Sequence, residues 1–280
     1  MRPRLFLIKS KGNVSSLLRG VYVVFWAEFG RFEYLAMVDK RKHRGAAPGD
    51  GRFFGDEFYG DLCLGVSDFS LLLSKGYPVN GSLKLVGDRF GFTDRQRLAV
   101  RRCACSDEQL EIRRSGRVEI EALKGKCLLV DGFNLLITVE AALSGGAIFV
   151  GRDGCYRDLC GIHGSYRKVS ETLEAFFLIA EFLEAGGVSK VKWLFDRPVS
   201  NSGKLKVIVR DLAAENGWPW EVELFDNPDN VLIASDDIVA TSDSDVLDRC
   251  GVWYNLGAEI VKICRQADGS GVFLVDLSCD

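Results

Sequence analysis

Three aspartates stand at the ends of short apolar segments. Asp131 follows Cys-Leu-Leu-Val, Asp196 follows Val-Lys-Trp-Leu-Phe, and Asp243 follows Ile-Val-Ala-Thr-Ser with Asp245 two residues beyond. Such segments read as buried strands, so each carboxylate is expected where a strand leaves a sheet. In an open parallel sheet that edge is where ligands bind. Carboxylates that meet there repel one another unless a cation neutralises them, and hard oxygen donors select Mg²⁺ or Mn²⁺. The competing reading is that each aspartate caps the helix that follows it. For Asp245, before residues 246–250, capping and ligation are equal alternatives, whereas three caps by coincidence is the weaker account.

Two further groups are suited to a phosphate. The stretch Pro198-Val199-Ser200-Asn201-Ser202-Gly203-Lys204 follows Asp196 and leads into a helix. Its backbone N–H groups, with Ser200, Asn201, Ser202 and Lys204, would suit an anion. The glycine spacing of a Walker loop is absent, and an ordinary turn with an N-cap is the alternative. His163 and Arg167, in His-Gly-Ser-Tyr-Arg, precede another helix start. His163 could give a proton to a leaving oxygen while Arg167 binds phosphate; a structural histidine is the alternative.

These groups need a scaffold, and residues 116–280 supply its grammar. Strands at 127–131, 191–196, 220–224, 238–243 and 252–256 alternate with helices through Leu143, over 169–185 and over 205–213. Alternation of this kind predicts an α/β fold with a mostly parallel sheet flanked by helices. Trp218 and Trp220, at the start of a strand, read as core rather than as base-stacking groups. Residues 58–115 read as a small basic helical module. Ser67 is expected to open a helix through Leu73, and Thr93 to Gln96 and Ser106 to Gln109 are capping boxes. Arg97 and Arg101, four residues apart, predict a basic helix face that would meet a nucleic-acid backbone. Residues 1–57 carry a basic run and a Gly/Ala/Pro/Asp stretch that reads as a linker.

The charge is divided unevenly. Residues 84–126 hold 11 Lys/Arg against 7 Asp/Glu, and residues 127–280 hold 13 against 24. A basic module beside an acidic one suits polyanion binding next to a metal site, although two ordinary solvated surfaces would give the same balance. The nine cysteines lie mostly in apolar runs, which favours buried reduced thiols and a cytoplasmic protein over disulfides. Cys155, Cys160 and His163 lack a CxxC pair, so structural zinc is disfavoured. The apolar run at 21–27 is far short of the ~20 residues that span a bilayer, and no membrane partner is expected. An apolar helix face at Phe176-Phe177 would suit a homodimer.

The stretch from about residue 67 to residue 256 resembles a two-part prokaryotic family. In that family a small helical domain of unknown function 434 precedes a PIN-like domain. The resemblance lies in SLLLSKGYP, KLVGDRFGFTDRQR, VDGFNLLITVEAALSGG, RDLCGIHGSYR, DRPVSNSG and TSDSD. Within it, Leu129 to Asn134 resembles the opening strand of PIN-like and NYN nucleases, where an asparagine follows the first metal-binding aspartate. Thr241 to Asp245 resembles their later acidic motif.

The resemblance implies a PIN-like, Rossmann-like sheet and metal-dependent hydrolysis of phosphodiesters, with RNA favoured over DNA. Asp131, Asp196 and Asp243 would bind Mg²⁺ or Mn²⁺ with Asp245 assisting, and Asn134 would meet the substrate. The ion would lower the pKa of a water and neutralise the departing oxygen. PIN-type enzymes usually draw another acid from a middle helix; Glu171 and Glu174 are the candidates here, and neither stands out. Glu140 is either a further ligand or a solvated helix charge. Two other functions stay open: a non-catalytic nucleic-acid-binding or scaffold protein, and a small-molecule phosphohydrolase. Asp131-Gly132-Phe133 lacks the second aspartate of haloacid-type phosphotransferases.

Overall fold

The central strand is built from the most apolar of the aspartate-ending segments. In a computed structural model that describes residues 43–161, 164–267 and 271–279, strand β1 (Cys127–Asp131) lies between two parallel neighbours. These are β4 (Lys190–Asp196) and β6 (Ile238–Ala240), and β5 (Trp220–Phe225) completes the sheet outside β4. A strand paired on both edges and covered on both faces has no solvated side, which is why Leu128, Leu129 and Val130 form an unbroken apolar run. The basic residues 40–42, the apolar run at 21–27 and His163 lie outside the described residues.

The connections determine where the crevice falls. From β1 the chain runs through α6 (Gly132–Leu143) and α7 (Thr172–Ala185) to β4, then through α8 (Ser202–Asn216) to β5. It then crosses through the short α9 (Pro228–Ile233) to β6, on the opposite side of β1. In order of appearance the four strands stand 3-2-1-4, so the direction of winding reverses between β1 and β6. That reversal opens a crevice at the carboxyl ends of these two strands. Beyond β6 come α10 (Ser244–Leu247) and α11 (Leu256–Gln266).

Glycine is required at the start of α6. A Cβ on Gly132 would lie 2.4 Å from the Phe195 ring and 2.7 Å from the Leu194 carbonyl oxygen. Only its absence lets the helix leave β1 this close to β4. Around this junction Trp193 stacks on Phe195 and meets Phe176 and Trp220 edge-on or tilted, with Trp218 packed on Trp220. The tryptophans are core, as their sequence context implied. Phe176 is fully buried in this cluster. Of the Phe176-Phe177 pair only Phe177 reaches the surface, where it is exposed and packs edge-on against Trp218.

A second sheet was not legible beforehand. Strand β2 (Ala147–Val150) pairs antiparallel with β3 (Tyr156–Asp158) and parallel with β7 (Phe273–Asp276). Alternation along β2 divides its side chains between two cores. Ala147 and Phe149 join the helical region, and Ile148 meets Ala141, Ala142 and Val261. The helical region comprises α1 (Asp50–Phe53), α2 (Asp56–Ser74), α3 (Val79–Arg89), α4 (Asp94–Cys103) and α5 (Asp107–Gly116). Both capping boxes form as expected at the starts of α4 and α5.

Several local expectations are corrected. Helix α2 runs through Ser67 rather than starting there, because Leu62, Val66 and Phe69 continue one buried face. It ends as expected at Gly76, whose φ of 77° suits a glycine. Residues 252–256 form no strand: Trp253 alone bridges to Arg117 and Val239 before Asn255 caps α11. The stretch read as a linker is partly folded structure, since Asp50 is fully buried and its carboxylate pairs with the Arg95 guanidinium at 2.7 Å.

The cysteines divide. Cys63 and Cys279 are joined as a disulfide across 216 residues, against the expectation of reduced thiols throughout. Burial pushes the free Cys103 thiol up to about 12, as suits an inert core residue. Cys155 packs with Leu129 and Trp253, whereas Cys160 borders a different cluster with Tyr156 and Val272.

Candidate functional site

The crevice between β1 and β6 is closed at its base by a hydroxyl. Thr241, the first residue after β6, donates its Oγ1–H to Asp131 Oδ2 at 2.7 Å and accepts the Asp243 N–H at 3.0 Å. Beside it Ser242 donates to Asn134 Oδ1, tying the loop to the first turn of α6. Asn134 thus positions the acidic loop instead of projecting freely into the crevice.

Asp131 is almost completely buried, and its carboxyl is pushed up to about 7. Burial is the largest cause; the Thr241 hydrogen bond opposes it, and the charges of Asp243, Asp229 and Asp196 add to it. Asp131 makes no side-chain cap to α6, and Asn201, not Asp196, stands at the N-cap of α8. Asp243 is a cap: its Oδ1 accepts from the Asp245 and Val246 N–H groups at 2.9 and 3.2 Å. Asp245 caps nothing and pairs with Arg249 one turn on.

Asp229 is the member that the sequence did not disclose. It lies in the first turn of α9, just after β5, and its carboxyl is raised by burial and by Asp243, Asp196 and Asp245. The available signal was Asp226-Asn227-Pro228-Asp229, a capped helix start directly after a parallel strand. That places carboxylates of Asp131, Asp196, Asp229, Asp243 and Asp245 in one electrostatic neighbourhood at the sheet edge. Among the described residues no group of three or more His, Cys, Asp or Glu side chains is arranged to hold a metal ion by itself.

The second candidate group flanks this edge. Ser200 bridges to Ser165, and the Tyr166 N–H donates to the Ser200 carbonyl at 3.0 Å. This stitches the 164–167 loop to the 198–203 turn. Asn201 adopts the left-handed conformation, φ 71°, and its Nδ2 donates to the Tyr166 carbonyl at 2.9 Å. Ser202 is buried, with its hydroxyl on the Arg197 carbonyl. Lys204 and Arg167 are exposed with no side-chain hydrogen bond or ion pair to the described residues.

Glu140 is neither ligand nor solvated charge. It is fully buried, accepting from Tyr166 Oη and Thr172 Oγ1, each at 2.6 Å, and pairing with Arg44. Glu171 pairs with His43, and burial beside Glu171 raises the Glu174 carboxyl. In the helical module, Arg97 spends its guanidinium on Asp88 and on the Phe92 and Lys84 carbonyls. Arg101 is exposed.

Behind the acidic loop lies a buried charge cluster. Asp153 receives Arg113 Nη1 at 2.6 Å and Arg157 Nη1 and Nη2 at 2.8 and 2.7 Å. The two guanidiniums hold its carboxyl well below the usual range despite burial. Arg157 also donates to the Ser242 carbonyl at 2.8 Å, and Arg113 to the Ser244 carbonyl at 3.4 Å. The backbone on both sides of Asp243 is therefore anchored to one buried aspartate.

Fold and site together define an α/β protein with a mostly parallel sheet, an N-terminal helical region, and an acidic crevice where the strand order reverses. Residues 120–259 match the family model described as a domain of unknown function (DUF5616), and residues 61–115 match the protein of unknown function DUF434. The chain belongs to the DUF5616 family, with the DUF434 region preceding it, which is the two-part arrangement implied by the sequence phrases. It is 30% identical over 201 residues to an uncharacterized protein of Methanocaldococcus jannaschii, covering 71% of this chain and 96% of that relative. No solved structure matches the chain.

Proposed function

We propose that this protein is a PIN-like, Mg²⁺- or Mn²⁺-dependent nuclease that hydrolyses phosphodiester bonds, RNA in preference to DNA. The observation that carries the reading is Asp131. It is a buried carboxyl at the strand-order reversal, and the largest charges acting on it are three other carboxylates. Such a site favours a divalent cation. Mg²⁺ commonly takes one or two carboxylates and completes its shell with water and substrate phosphate, so a three-carboxylate cage is not required of this donor set. Asp131 and Asp243 would hold the ion, with Asp196 and Asp229 acting through water. When bound, the ion would activate water and neutralise the departing oxygen.

The chain's own groups support that chemistry. Thr241 orients the Asp131 carboxyl and Asn134 holds the Ser242 hydroxyl. Lys204 and Arg167, exposed beside the stitched loops, supply positive charge for a phosphate. His163 is retained as a candidate proton donor to the leaving oxygen.

The test is cleavage of labelled single-stranded RNA and DNA in Mn²⁺, Mg²⁺ or EDTA by wild type, Asp131→Asn and Asp243→Asn. Asparagine keeps the N-cap at position 243, so that variant should fold. Metal-dependent cleavage reduced at least ~100-fold in both variants is expected for loss of a site that activates the nucleophile. RNA binding without cleavage would replace this reading with a non-catalytic nucleic-acid-binding protein. Neither binding nor cleavage would turn the search to a small phosphorylated substrate.

A further inference from the structure

A cleft of about 290 Å³ opens where the end of α5 meets the second sheet. Four arginines line it, Arg113, Arg114, Arg117 and Arg152, against one aspartate, Asp153. Two of the four are committed elsewhere. Arg113 pairs with Asp153 and Asp248, and Arg152 pairs with Asp107 and donates to the Cys105 carbonyl. Arg114 and Arg117 have no carboxylate partner among the described residues.

The state of Arg117 is unusual. Its Nε is buried with no hydrogen-bond partner among the described residues, and its guanidinium carbon lies 6.0 Å from the Trp253 ring centroid. A buried donor left unmade costs free energy that a suitable acceptor would recover. The facing wall is backbone: Gly154 has φ 73°, and a Cβ there would come within 3.5 Å of Arg117 Nη1. A side chain at that position would occupy the space in front of the guanidinium. Guanidinium groups match phosphate oxygens in a bidentate fork, and a partly desolvated pair binds them more strongly than an exposed one.

We propose that this cleft is a phosphate-binding site, with Arg114 and Arg117 as the pair that grips the anion. The ligand is a phosphate group, carried either by a polynucleotide backbone or by a free nucleotide. Such a site would bind phosphate whether or not the acidic crevice cleaves.

The experiment measures anisotropy of a short labelled single-stranded RNA in EDTA, with adenosine monophosphate as competitor. Wild type is compared with the Arg114→Gln/Arg117→Gln double variant. The double variant is expected to bind RNA about tenfold more weakly, with the slope of log affinity against log salt reduced by about 0.7, the loss of one phosphate contact. Binding in EDTA, without the divalent ion that the acidic crevice would hold, separates this site from the nuclease reading. Displacement by the monophosphate would make a lone phosphate sufficient, and resistance would assign the site to the backbone. Arg114→Gln alone alters an exposed side chain and should lose about threefold with an unchanged melting temperature. Failure of wild type to bind either probe, or wild-type affinity and slope in the double variant, overturns the proposal.

Discussion

Asp131 connects stability to pH in a direction opposite to most aspartates. An unfolded aspartate ionises near pH 4, whereas Asp131 in the fold keeps its proton to about 7. Below pH 4 both states are protonated and the group contributes nothing. Between pH 4 and 7 the unfolded chain releases a proton that the folded chain retains, so stability falls as pH rises, and the full penalty applies above 7. In EDTA, wild type should lose roughly 3 kcal/mol more than Asp131→Asn between pH 4.5 and 8. Urea unfolding at the two pH values measures this, and equal losses would show that Asp131 is not held neutral. Mg²⁺ or Mn²⁺ at pH 8 should raise the wild-type melting temperature and leave the variant unmoved. Of the crevice acids, Asp131 and Asp196 could be picked out because a charged residue closes an apolar strand, and Asp243 because it follows one closely, although β6 ends at Ala240 and not at 243 as its apolar run implied. Asp229 could not, since it belongs to a short helix start and joins the others only through strand order.

Two junctions carry the elements that frame the crevice. At Gly132, α6 leaves β1 against the Phe195 ring and the Leu194 carbonyl. Gly132→Ala should cost roughly 2 kcal/mol or more through overpacking, read as a lowered urea midpoint at unchanged slope. At Asp153, one carboxylate holds Arg113 of α5 and Arg157 of β3, which in turn hold the Ser242 and Ser244 carbonyls. Asp153→Asn leaves two buried guanidiniums short of charge and should cost roughly 3–5 kcal/mol. Because the same residues flank Asp243, a folded Asp153→Asn sample should also lose metal-induced stabilisation. If that stabilisation survives intact, the cluster holds elements together without setting the acidic loop.

At the scale of the whole molecule, the helical region and the α/β part are not separable by packing. Phe54, Leu62, Val66, Phe69 and Val100 share one core with Phe149, Val275 and Leu277 of the second sheet. The Cys63–Cys279 disulfide joins the same two parts. A fragment of residues 117–280 would present that sheet face to water. It should aggregate or lack a cooperative thermal transition, where residues 43–280 melt as one unit. A soluble fragment with a sharp transition would show that the helical region is dispensable for folding. Among the described residues no helix is long and apolar enough to cross a membrane.

Local chemistry in the sequence was enough to place β1, β4 and β5, the helices between them, both capping boxes and the glycine stop of α2. Each of these depends on neighbours within a turn or a strand, and periodicity reports such neighbours directly. It also marked Asp131 and Asp196 at strand ends and Asp243 just beyond one, because each is a local event. Tertiary structure alone decided which carboxylates meet, since the 3-2-1-4 order arises from pairing between segments far apart in the chain. It decided equally that Glu140 is buried against Tyr166, Thr172 and Arg44, and that Arg97 is spent within its module while Arg117 is left with an unmatched buried donor. In each case the residue type was visible, but its surroundings were supplied by a different element.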